Sequence, residues 1–329
     1  MTQPARSSPP ELLDEGIQFD FGENQGLADA LAAGERFRSK SKAWRFLHKP
    51  VAGTLLSVYG FLPRLTPMKV RARLFSGQVM TGVLPEYLSH EVYLNGFFEA
   101  PLTRILLAHL RPGMVFVDVG AQFGYYSVLA HRLVGPTGRV FAFEPTPRTY
   151  SVLRQNVDRL SNVVAEPVAA SSSAGRLTLH DFGATNCGLN SILPHPRVVA
   201  EEGRQLKGTP FQVASVRLDD YFGERGIHPS FVKIDVETAE FDVLQGMEEV
   251  LRTARPAISV ETGDYGWTGG RESRDCVRFL LDRGYRCLEY VDGTLLPHRE
   301  KSTYGSDNLL FLPLEGQGTV QPSPGPLAH

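Results

Sequence analysis

The sequence predicts an α/β fold in which a largely parallel sheet carries helices on both faces. Three observations lead to this prediction. Short apolar segments of strand length alternate with segments of helical periodicity between residues 86 and about 313. Glycine and proline punctuate the segments, as at Gly135-Pro136. Several apolar segments end in an acidic residue, at the edge where parallel sheets of this kind bind ligands.

The predicted elements follow in chain order. Residues 115–119 form a short apolar strand between two glycines, and a helical pattern covers 125–134. A strand over 139–143 precedes a helix that ends near residue 160, with Thr146 as its N-cap and Pro147 as its first residue. Further strands are predicted at 163–169, 176–180, 211–216, 231–236, 257–261, 285–290 and 308–312. Further helices are predicted at 239–252 and near 271–283.

The remaining parts of the 329-residue chain have different compositions. Residues 1–35 are polar, so we expect a flexible segment, and residues 36–94 are expected to form a basic, largely helical extension. The main α/β domain is predicted to cover 95–313. Residues 314–329 are rich in proline and glycine, and we expect a disordered tail.

The bulk composition excludes several classes of protein. A formal charge of −2 gives no general attraction to nucleic acid, so no nucleic-acid partner is expected. Three scattered cysteines are too few for a disulfide framework or a zinc site, which favours a reducing, cytoplasmic location. No signal-peptide core and no bilayer-spanning apolar run is evident in the sequence. The oligomeric state is left open.

The stretch from residue 36 to residue 85 contains ten basic residues and no Asp or Glu. One interpretation is a solvated basic face. The other is a surface that touches an anionic substrate or makes peripheral contact with an anionic membrane.

The first candidate site is the segment Asp118-Val-Gly120-Ala121-Gln122-Phe-Gly124, which follows the first strand of the domain. Gly120 and Gly124 would allow a ligand close to the backbone. Their G-x-x-x-G spacing differs from the G-x-G-x-x-G of dinucleotide sites. Asp118 would suit the amino group of S-adenosylmethionine (SAM). The alternative is a glycine turn that only packs a strand against a helix.

The second candidate is Glu144, which ends the next strand and precedes Pro145. An acid in this position can accept hydrogen bonds from both hydroxyls of a ribose. NAD and SAM both carry such a ribose. Acids at both strand ends, together with the wide glycine spacing, favour SAM over NAD. The alternative is a surface carboxylate without a role.

Two further candidates follow later strands. Lys233, Asp235 and Glu237 alternate along one segment, so they share one side if the chain stays extended. They form either a salt-bridge network or a catalytic acid–base group. Glu261 ends the next strand, and Asp235 with Glu261 would suit a divalent cation or a polyol. His180 is a weaker catalytic candidate, and Tyr265 and Trp267 would offer a flat platform for a sugar ring.

These residues resemble the FkbM family of methyltransferases over roughly residues 95–313. The resemblance rests on the ordered motifs Gly96-Phe-Phe98-Glu99, Pro112-Gly113, Asp118-Val-Gly120-Ala121, Gly124-Tyr-Tyr-Ser127, Phe143-Glu144-Pro145, Leu218-Asp219, Lys233-Ile-Asp235-Val-Glu237, Ala239-Glu240 and Leu244-Gln-Gly246. It implies a Rossmann-like class I methyltransferase fold, with a mostly parallel seven-stranded sheet and a reversed final hairpin. The family usually has glycine where this chain has Thr238, which puts the shape of the pocket in question.

The resemblance also implies SAM as the cofactor and O-methylation of a sugar, glycolipid or polyketide-type natural product. The predicted cofactor-binding residues are Glu99, Asp118, Gly120, Ala121, Gln122, Gly124, Tyr125, Ser127, Glu144, Pro145 and Asp235. The predicted catalytic residues are Asp235, as base or metal ligand, then Glu237, Lys233 and Glu261. A non-catalytic SAM-binding partner protein and an NAD-dependent oxidoreductase are the alternatives, and a small-molecule or carbohydrate acceptor is the expected partner.

Overall fold

The computed structural model describes residues 16–61, 66–192, 208–264 and 271–314. A nine-stranded sheet lies at the centre, between two layers of helices, which confirms the predicted fold class. In spatial order its strands are β6 (Val163–Glu166), β5 (Arg139–Phe143), β4 (Val115–Val119), β10 (Phe231–Ile234), β11 (Ala257–Thr262), β14 (Asp307–Pro313), β12 (Tyr285–Val291), β13 (Thr294–Pro297) and β1 (Ile17–Gln18).

Strands β6 to β11 of this order are parallel, and the remaining strands pair antiparallel with their neighbours. The seven expected strands are therefore present, with β14 reversed between β11 and β12. The expected number was too small because β13 folds back on β12 as a hairpin, and β1 then pairs with β13. Both short strands extend an edge that would otherwise present unpaired backbone groups.

Helices cover both faces because side chains alternate along each strand. On one face, Phe116 and Phe231 belong to a core with α5 (Ala100–His109), α6 (Tyr125–Val134) and α7 (Pro147–Val157). On the other face, Val117 and Val232 pack with α8 (Leu218–Gly223), α9 (Glu240–Gln245), α10 (Glu248–Thr253) and α11 (Ser273–Leu281). The single helix predicted at 239–252 is thus two helices. The break lies at Gly246, which packs so closely against Ser171 that a Cβ would lie 2.0 Å from its carbonyl oxygen.

A separate three-stranded sheet contains β7 (Ala169–Ala170), β8 (Gly175–Asp181) and β9 (Thr209–Val216). The strand predicted at 163–169 therefore ends at Glu166, and the chain reaches Ala169 in a different sheet. The strands expected at 176–180 and 211–216 are present and pair with each other as an antiparallel hairpin. The residues that follow β8 reach the mouth of the cavity described below.

The N-terminal region differs from the prediction in two respects. Residues 16–35, expected to be flexible, contain β1 and most of the first helix. Residues 36–94, expected to be largely helical, also contain a β-hairpin, in which buried Val70 and Ala72 alternate with exposed Lys69 and Arg71. The elements are α1 (Gln25–Arg38), α2 (Lys42–His48), α3 (Pro50–Phe61), β2 (Met68–Arg73), β3 (Val79–Leu84) and α4 (Tyr87–Asn95). Across the described ranges, no helix has the length and apolar composition needed to cross a bilayer. The predicted tail lies outside these ranges apart from Leu314.

Candidate active site

A cavity of about 460 Å³ opens at the carboxyl ends of β4, β5, β10 and β11. This is the edge of the sheet where the sequence predicted the site. Loops after these four strands form its floor, and the start of α4, the start of α5 and residues 185–190 form its walls. Its volume is within the range of pockets that hold small molecules and cofactors.

A row of polar side chains crosses the sheet beneath this cavity. Lys233 on β10 lies between Asp118 on β4 and Ser259 on β11, in register with both. Its Nζ is 3.5 Å from Asp118 Oδ1 and 3.1 Å from Asp235 Oδ2, and it donates to the Gly120 carbonyl oxygen at 3.2 Å. Lys233 therefore joins two carboxylates, as one interpretation of the sequence proposed.

Burial shapes the electrostatics of this row. Asp118 is fully buried, and burial raises the pKa of its carboxyl group, although Lys233 and the hydroxyl of Ser127 oppose the rise. Burial alone would lower the pKa of Lys233, but the adjacent carboxylates of Asp235 and Asp118 raise it overall. Lys233 is thus held in its charged form. A charged pair without solvent is stable only while both partners are present.

The glycines after β4 are required by contacts within the protein. Gly120 has φ +76°, and a Cβ there would lie 1.8 Å from the backbone oxygen of Asp235. Gly124 has φ +88° and caps α6, and a Cβ there would lie 2.6 Å from Leu153 Cδ1. Neighbouring chain thus fills the place of a Cβ at both glycines, while the backbone of Gly120 still lines the cavity. Close packing accounts for both glycines, and the turn brings β4 and β10 together at the cavity.

Glu144 stands where the sequence placed it, directly after β5 and on the cavity wall. One carboxyl oxygen accepts the Thr146 amide hydrogen at 2.8 Å, and the other accepts that of Gln122 at 3.1 Å. Each oxygen retains capacity for a further hydrogen bond. Burial raises the pKa of Glu144 to about 7. The side chain is therefore fixed in one orientation and can still accept hydrogen bonds from a ligand.

An acidic cluster lines the other end of the cavity. Asp235, Glu237 and Glu261 each offer a carboxylate oxygen, and these atoms lie within 4.8 Å of one another. Asp235 directly follows β10, and Glu261 lies near the end of the adjacent parallel strand β11, as predicted. Burial, followed by the charges of Asp235 and Glu237, raises the pKa of Glu261 well above its usual range. Such a cluster is costly unless protons or a cation neutralise it.

Two further glutamates also have pKa values raised by burial. Burial and the charge of Asp235 raise the pKa of Glu99 to about 7, even though Glu99 accepts a 2.6 Å hydrogen bond from the Tyr126 hydroxyl. Burial likewise raises the pKa of Glu240, which accepts the Val236 amide hydrogen, to about 7. Several carboxyl groups of the site therefore exchange protons near neutral pH.

These raised pKa values predict how stability depends on pH. Glu99, Glu144 and Glu240 have an ordinary pKa of 4.5 and a folded pKa of about 7. Their contribution is full below pH 4.5 and is lost as pH rises through 7, because the unfolded chain releases these protons first. We expect the free energy of unfolding of the ligand-free protein, measured with urea, to fall from pH 5 to pH 8. The Glu99→Gln variant should show a shallower fall, and a rise in stability over this interval would contradict the assignment.

Thr238 holds an unfavourable backbone conformation next to the cluster. Its φ is +84°, which a β-branched residue rarely adopts, and Glu237 before it has φ +51°. The Thr238 hydroxyl is buried and has no hydrogen-bond partner among the described residues. The backbone at position 238 thus has a conformation that suits glycine, the residue usual at this position in the family that the chain resembles. Threonine adopts this conformation only with strain.

We therefore expect Thr238→Gly to stabilise the protein by roughly 0.5–1 kcal/mol. Relief of the left-handed strain contributes about 1–2 kcal/mol, and the greater chain entropy of glycine offsets part of it. Urea unfolding measures the difference. Thr238→Ala is the matched control, since it removes the unpaired hydroxyl but retains the unfavourable φ, and it should gain less. A destabilised Thr238→Gly protein would show that the threonine side chain contributes packing that outweighs the strain.

The predicted site residues fall into two groups. Those that line the cavity are Glu99, Gly120, Ala121, Gln122, Tyr125, Glu144, Pro145, Lys233, Asp235, Glu237 and Glu261. Asp118, Gly124 and Ser127 are not among its lining residues and lie behind it: the Ser127 hydroxyl donates to Asp118 Oδ2 at 2.6 Å, and Asp118 faces Lys233. His180 is on β8 and does not line the cavity. Tyr265 and Trp267 lie outside the described residues.

Among the cavity side chains that the sequence analysis missed are Glu86, Tyr126 and Cys187. Glu86 caps α4 through the amide hydrogens of Leu88 and Ser89 and accepts a 3.0 Å hydrogen bond from the Gln122 side chain. The Tyr126 hydroxyl donates a hydrogen bond to Glu99, and the thiol of Cys187 lies 3.6 Å from the side-chain amide nitrogen of Gln122. Acidic residues are enriched near helix N-termini, so the sequence offers Glu86 as the start of a helix. Nothing in the local sequence signals that the cap faces the cavity.

Comparisons with known proteins match the part of the chain that forms this cavity. A family model described as the methyltransferase FkbM domain matches residues 118–287, more than half of the chain. This span begins at the buried aspartate of β4 and ends in β12, so it contains the glycine turn, Glu144 and the acidic cluster.

Individual relatives are more distant. The 31-O-demethyl-FK506 methyltransferase FkbM of Streptomyces tacrolimicus is 34% identical over 162 residues, which cover 43% of this chain and 62% of that protein. The 2-O-methyltransferase NoeI of Sinorhizobium fredii is 30% identical over 151 residues, which cover 44% of this chain and 62% of that protein. Both alignments span less than two thirds of the relative.

Among solved structures, the methyltransferase FkbM of Methylobacillus flagellatus is 15% identical, with a TM-score of 0.38, over 68% of this chain and 52% of that chain. The family match, which covers the strands and loops that build the cavity, shows that this chain belongs to the FkbM family of methyltransferases.

Proposed function

We propose that this protein is a SAM-dependent O-methyltransferase that acts on a hydroxyl of a sugar, glycolipid or polyketide-type natural product. The charge of the cavity is the observation that carries the proposal. Among its described lining residues are six carboxyl side chains and one lysine, and that lysine already pairs with Asp118 and Asp235. A cavity of this kind suits a ligand with positive charges, because such a ligand favours the ionised form of the carboxyl groups whose pKa burial raises. SAM carries a sulfonium and an ammonium group.

The residues present fit SAM better than a nicotinamide cofactor. Glu144 would accept the ribose hydroxyls, and the backbone of Gly120 to Gln122 would border the methionine part. The pyrophosphate of NAD would face acidic side chains, and the one lysine of the described lining is committed to carboxylates. When bound, SAM supplies an activated methyl group, so the protein contributes mainly alignment and proton transfer.

For the transfer we propose Asp235 as the group that accepts the proton of the acceptor hydroxyl. Its side chain is 27% exposed, whereas Lys233 beside it is 2% exposed, so Asp235 can meet an acceptor from the cavity. The names of two relatives, an FK506 O-methyltransferase and a 2-O-methyltransferase, support a hydroxyl acceptor. Carboxylates of Glu237 and Glu261 would accept further hydrogen bonds from a polyol.

The same three carboxylates could instead hold a divalent cation, for which oxygen ligands are suitable. A non-catalytic SAM-binding protein is the other candidate, and the placement of Asp235 and Glu261 at one rim argues against it. Methyl transfer from labelled SAM to a panel of sugar and polyketide alcohols tests the activity. SAM binding without transfer to any acceptor class would favour the non-catalytic candidate.

The cofactor assignment predicts the effect of Glu144→Ala. Loss of hydrogen bonds between a carboxylate and the ribose should weaken SAM binding by about 1.5–3 kcal/mol, or roughly 10–150-fold in Kd. Isothermal titration calorimetry on the folded variant measures this change. Glu166→Ala is a suitable control, because Glu166 ends the neighbouring strand β6 but binds the Tyr221 hydroxyl and does not line the cavity. Unchanged affinity in Glu144→Ala would exclude the ribose assignment.

A further inference from the structure

Helix α2 has an unusual exposure for a helix rich in apolar residues. None of its seven residues is buried. Trp44 is 37% exposed, Phe46 45% and Leu47 75%, and Val51, in the first turn of α3, is also 75% exposed. Isolated apolar residues on a surface are common, but several large apolar side chains exposed within eight consecutive residues are typical of an interaction site. Leu47 and Val51 are the most exposed of the four, whereas Trp44 is partly covered by Phe37 and His48.

Two basic residues lie beside this apolar group and have no ion-pair partner among the described residues. Lys40 and Lys42 are exposed at the start of α2, and no Asp or Glu occurs from residue 36 to residue 85. Glu35, near the end of α1, already pairs with Arg104, and Glu91 on α4 already pairs with Arg38. A partner that meets this surface must therefore accept apolar side chains and positive charge together.

The structure also divides the basic region that the sequence treated as one. On β2, Val70 packs towards α3 with Tyr59 and Leu84. Lys69 and Arg71 point to the opposite side of the hairpin, where Lys69 donates to the side chain of Gln155 on α7. The basic residues of β2 thus belong to a different face and do not add to the apolar group of α2.

We propose that the α2–α3 surface, formed by Lys40, Lys42, Trp44, Phe46, Leu47 and Val51, binds the surface of an anionic lipid bilayer. Apolar side chains of this size enter the boundary between headgroups and acyl chains, while lysines stay at the level of the anionic headgroups. An acidic protein groove would satisfy the lysines, but it would leave Leu47 and Val51 facing polar groups. The inference is independent of the proposed reaction.

Membrane attachment at this surface would also position the cavity. Lys49, before α3, donates to the carbonyl oxygen of Leu94 at the end of α4, whereas Tyr59, near the end of α3, packs against Leu84, just before α4. The two helices therefore run antiparallel. The 12-residue α3 is about 18 Å long, so Tyr87 of the cavity wall lies within roughly that distance of the proposed bilayer contact.

Tryptophan fluorescence gives a direct test, because the chain has only two tryptophans. In the Trp267→Phe protein, emission reports Trp44 alone. With vesicles of equimolar phosphatidylcholine and phosphatidylglycerol at low salt, we expect a blue shift, quenching by acyl-brominated lipid, and co-sedimentation that high salt reverses. Vesicles of phosphatidylcholine alone should bind at least about tenfold more weakly, since each lysine near an anionic surface contributes severalfold.

Variants identify the surface. Leu47→Asp with Val51→Asp should weaken partitioning at least roughly tenfold, and Lys42→Glu, an exposed substitution that leaves the fold intact, should weaken it about fivefold or more. Leu281→Asp is the matched control, an exposed leucine on α11 that should leave binding unchanged. Absence of binding to the anionic vesicles, or equal binding by all variants, would overturn the proposal. So would a dimer in sedimentation analysis that Leu47→Asp dissociates, because it would assign this surface to a second copy of the chain.

Discussion

Asp235→Asn is expected to lower the turnover of methyl transfer by about 10²-fold or more, with a much smaller effect on the affinity for SAM. Asparagine keeps the shape of the side chain and one acceptor oxygen but can neither accept a proton nor supply charge, and loss of a general base typically has this size. The side chain stands at the end of a central strand, beside Glu261 of the next strand. Turnover with a measured acceptor and calorimetry with SAM separate the two effects.

Asp282→Asn is the control, an exposed aspartate at the end of α11 that does not line the cavity. Chelation then distinguishes the two possible roles of Asp235. Activity that survives a chelator but not Asp235→Asn assigns proton acceptance. Activity abolished by both, and restored by Mg²⁺ only in the unmodified protein, assigns metal binding. Near-normal turnover in Asp235→Asn would remove this residue from the mechanism and make Glu237 the next residue to test.

Lys233→Met should have the largest effect on stability, a loss of about 3–5 kcal/mol in the free energy of unfolding at pH 7. The substitution leaves the fully buried Asp118 without its cation, and an uncompensated buried charge carries this cost. It also removes the positive charge between Asp118 and Asp235. Urea unfolding measures the loss. Lys301→Met, which removes a half-exposed lysine paired with Glu289, should cost less than about 1 kcal/mol.

The double variant Lys233→Met, Asp118→Asn tests the cause. Asparagine carries no charge and can still accept the hydrogen bond from Ser127, so the double variant should recover at least about 1 kcal/mol of the loss. A double variant as unstable as the sum of the two single variants would mean that Lys233 stabilises the fold by packing. In that case the stabilising effect of Lys233 would not come from neutralising the charge of Asp118.

Local sequence determined the elements around the cavity well. The strands at 115–119 and 139–143 and the helix at 125–134 were predicted with their observed ends, because apolar periodicity and flanking glycines are local signals. Chain order and the rule for parallel sheets were then sufficient to place Asp235 beside Glu261, and Glu144 at the same edge. The weaker predictions concerned the N-terminal region, where exposed lysines and arginines on β2 masked the period-two pattern of a hairpin.

Only the tertiary structure decided which of these side chains point into the cavity and which point into the protein interior. Asp118 was predicted to meet a ligand, yet its carboxylate pairs with Lys233 in the interior, and Gly120 both lines the cavity and packs on the backbone of Asp235. Glu86, far away in sequence, joins the cavity through Gln122. The same holds for Glu99 and Glu261, whose pKa values are raised first by burial and then by the charge of Asp235 from another segment. Sequence specifies the type and order of these groups, whereas their solvent exposure and mutual distances, which set their charge states, arise only when the strands assemble.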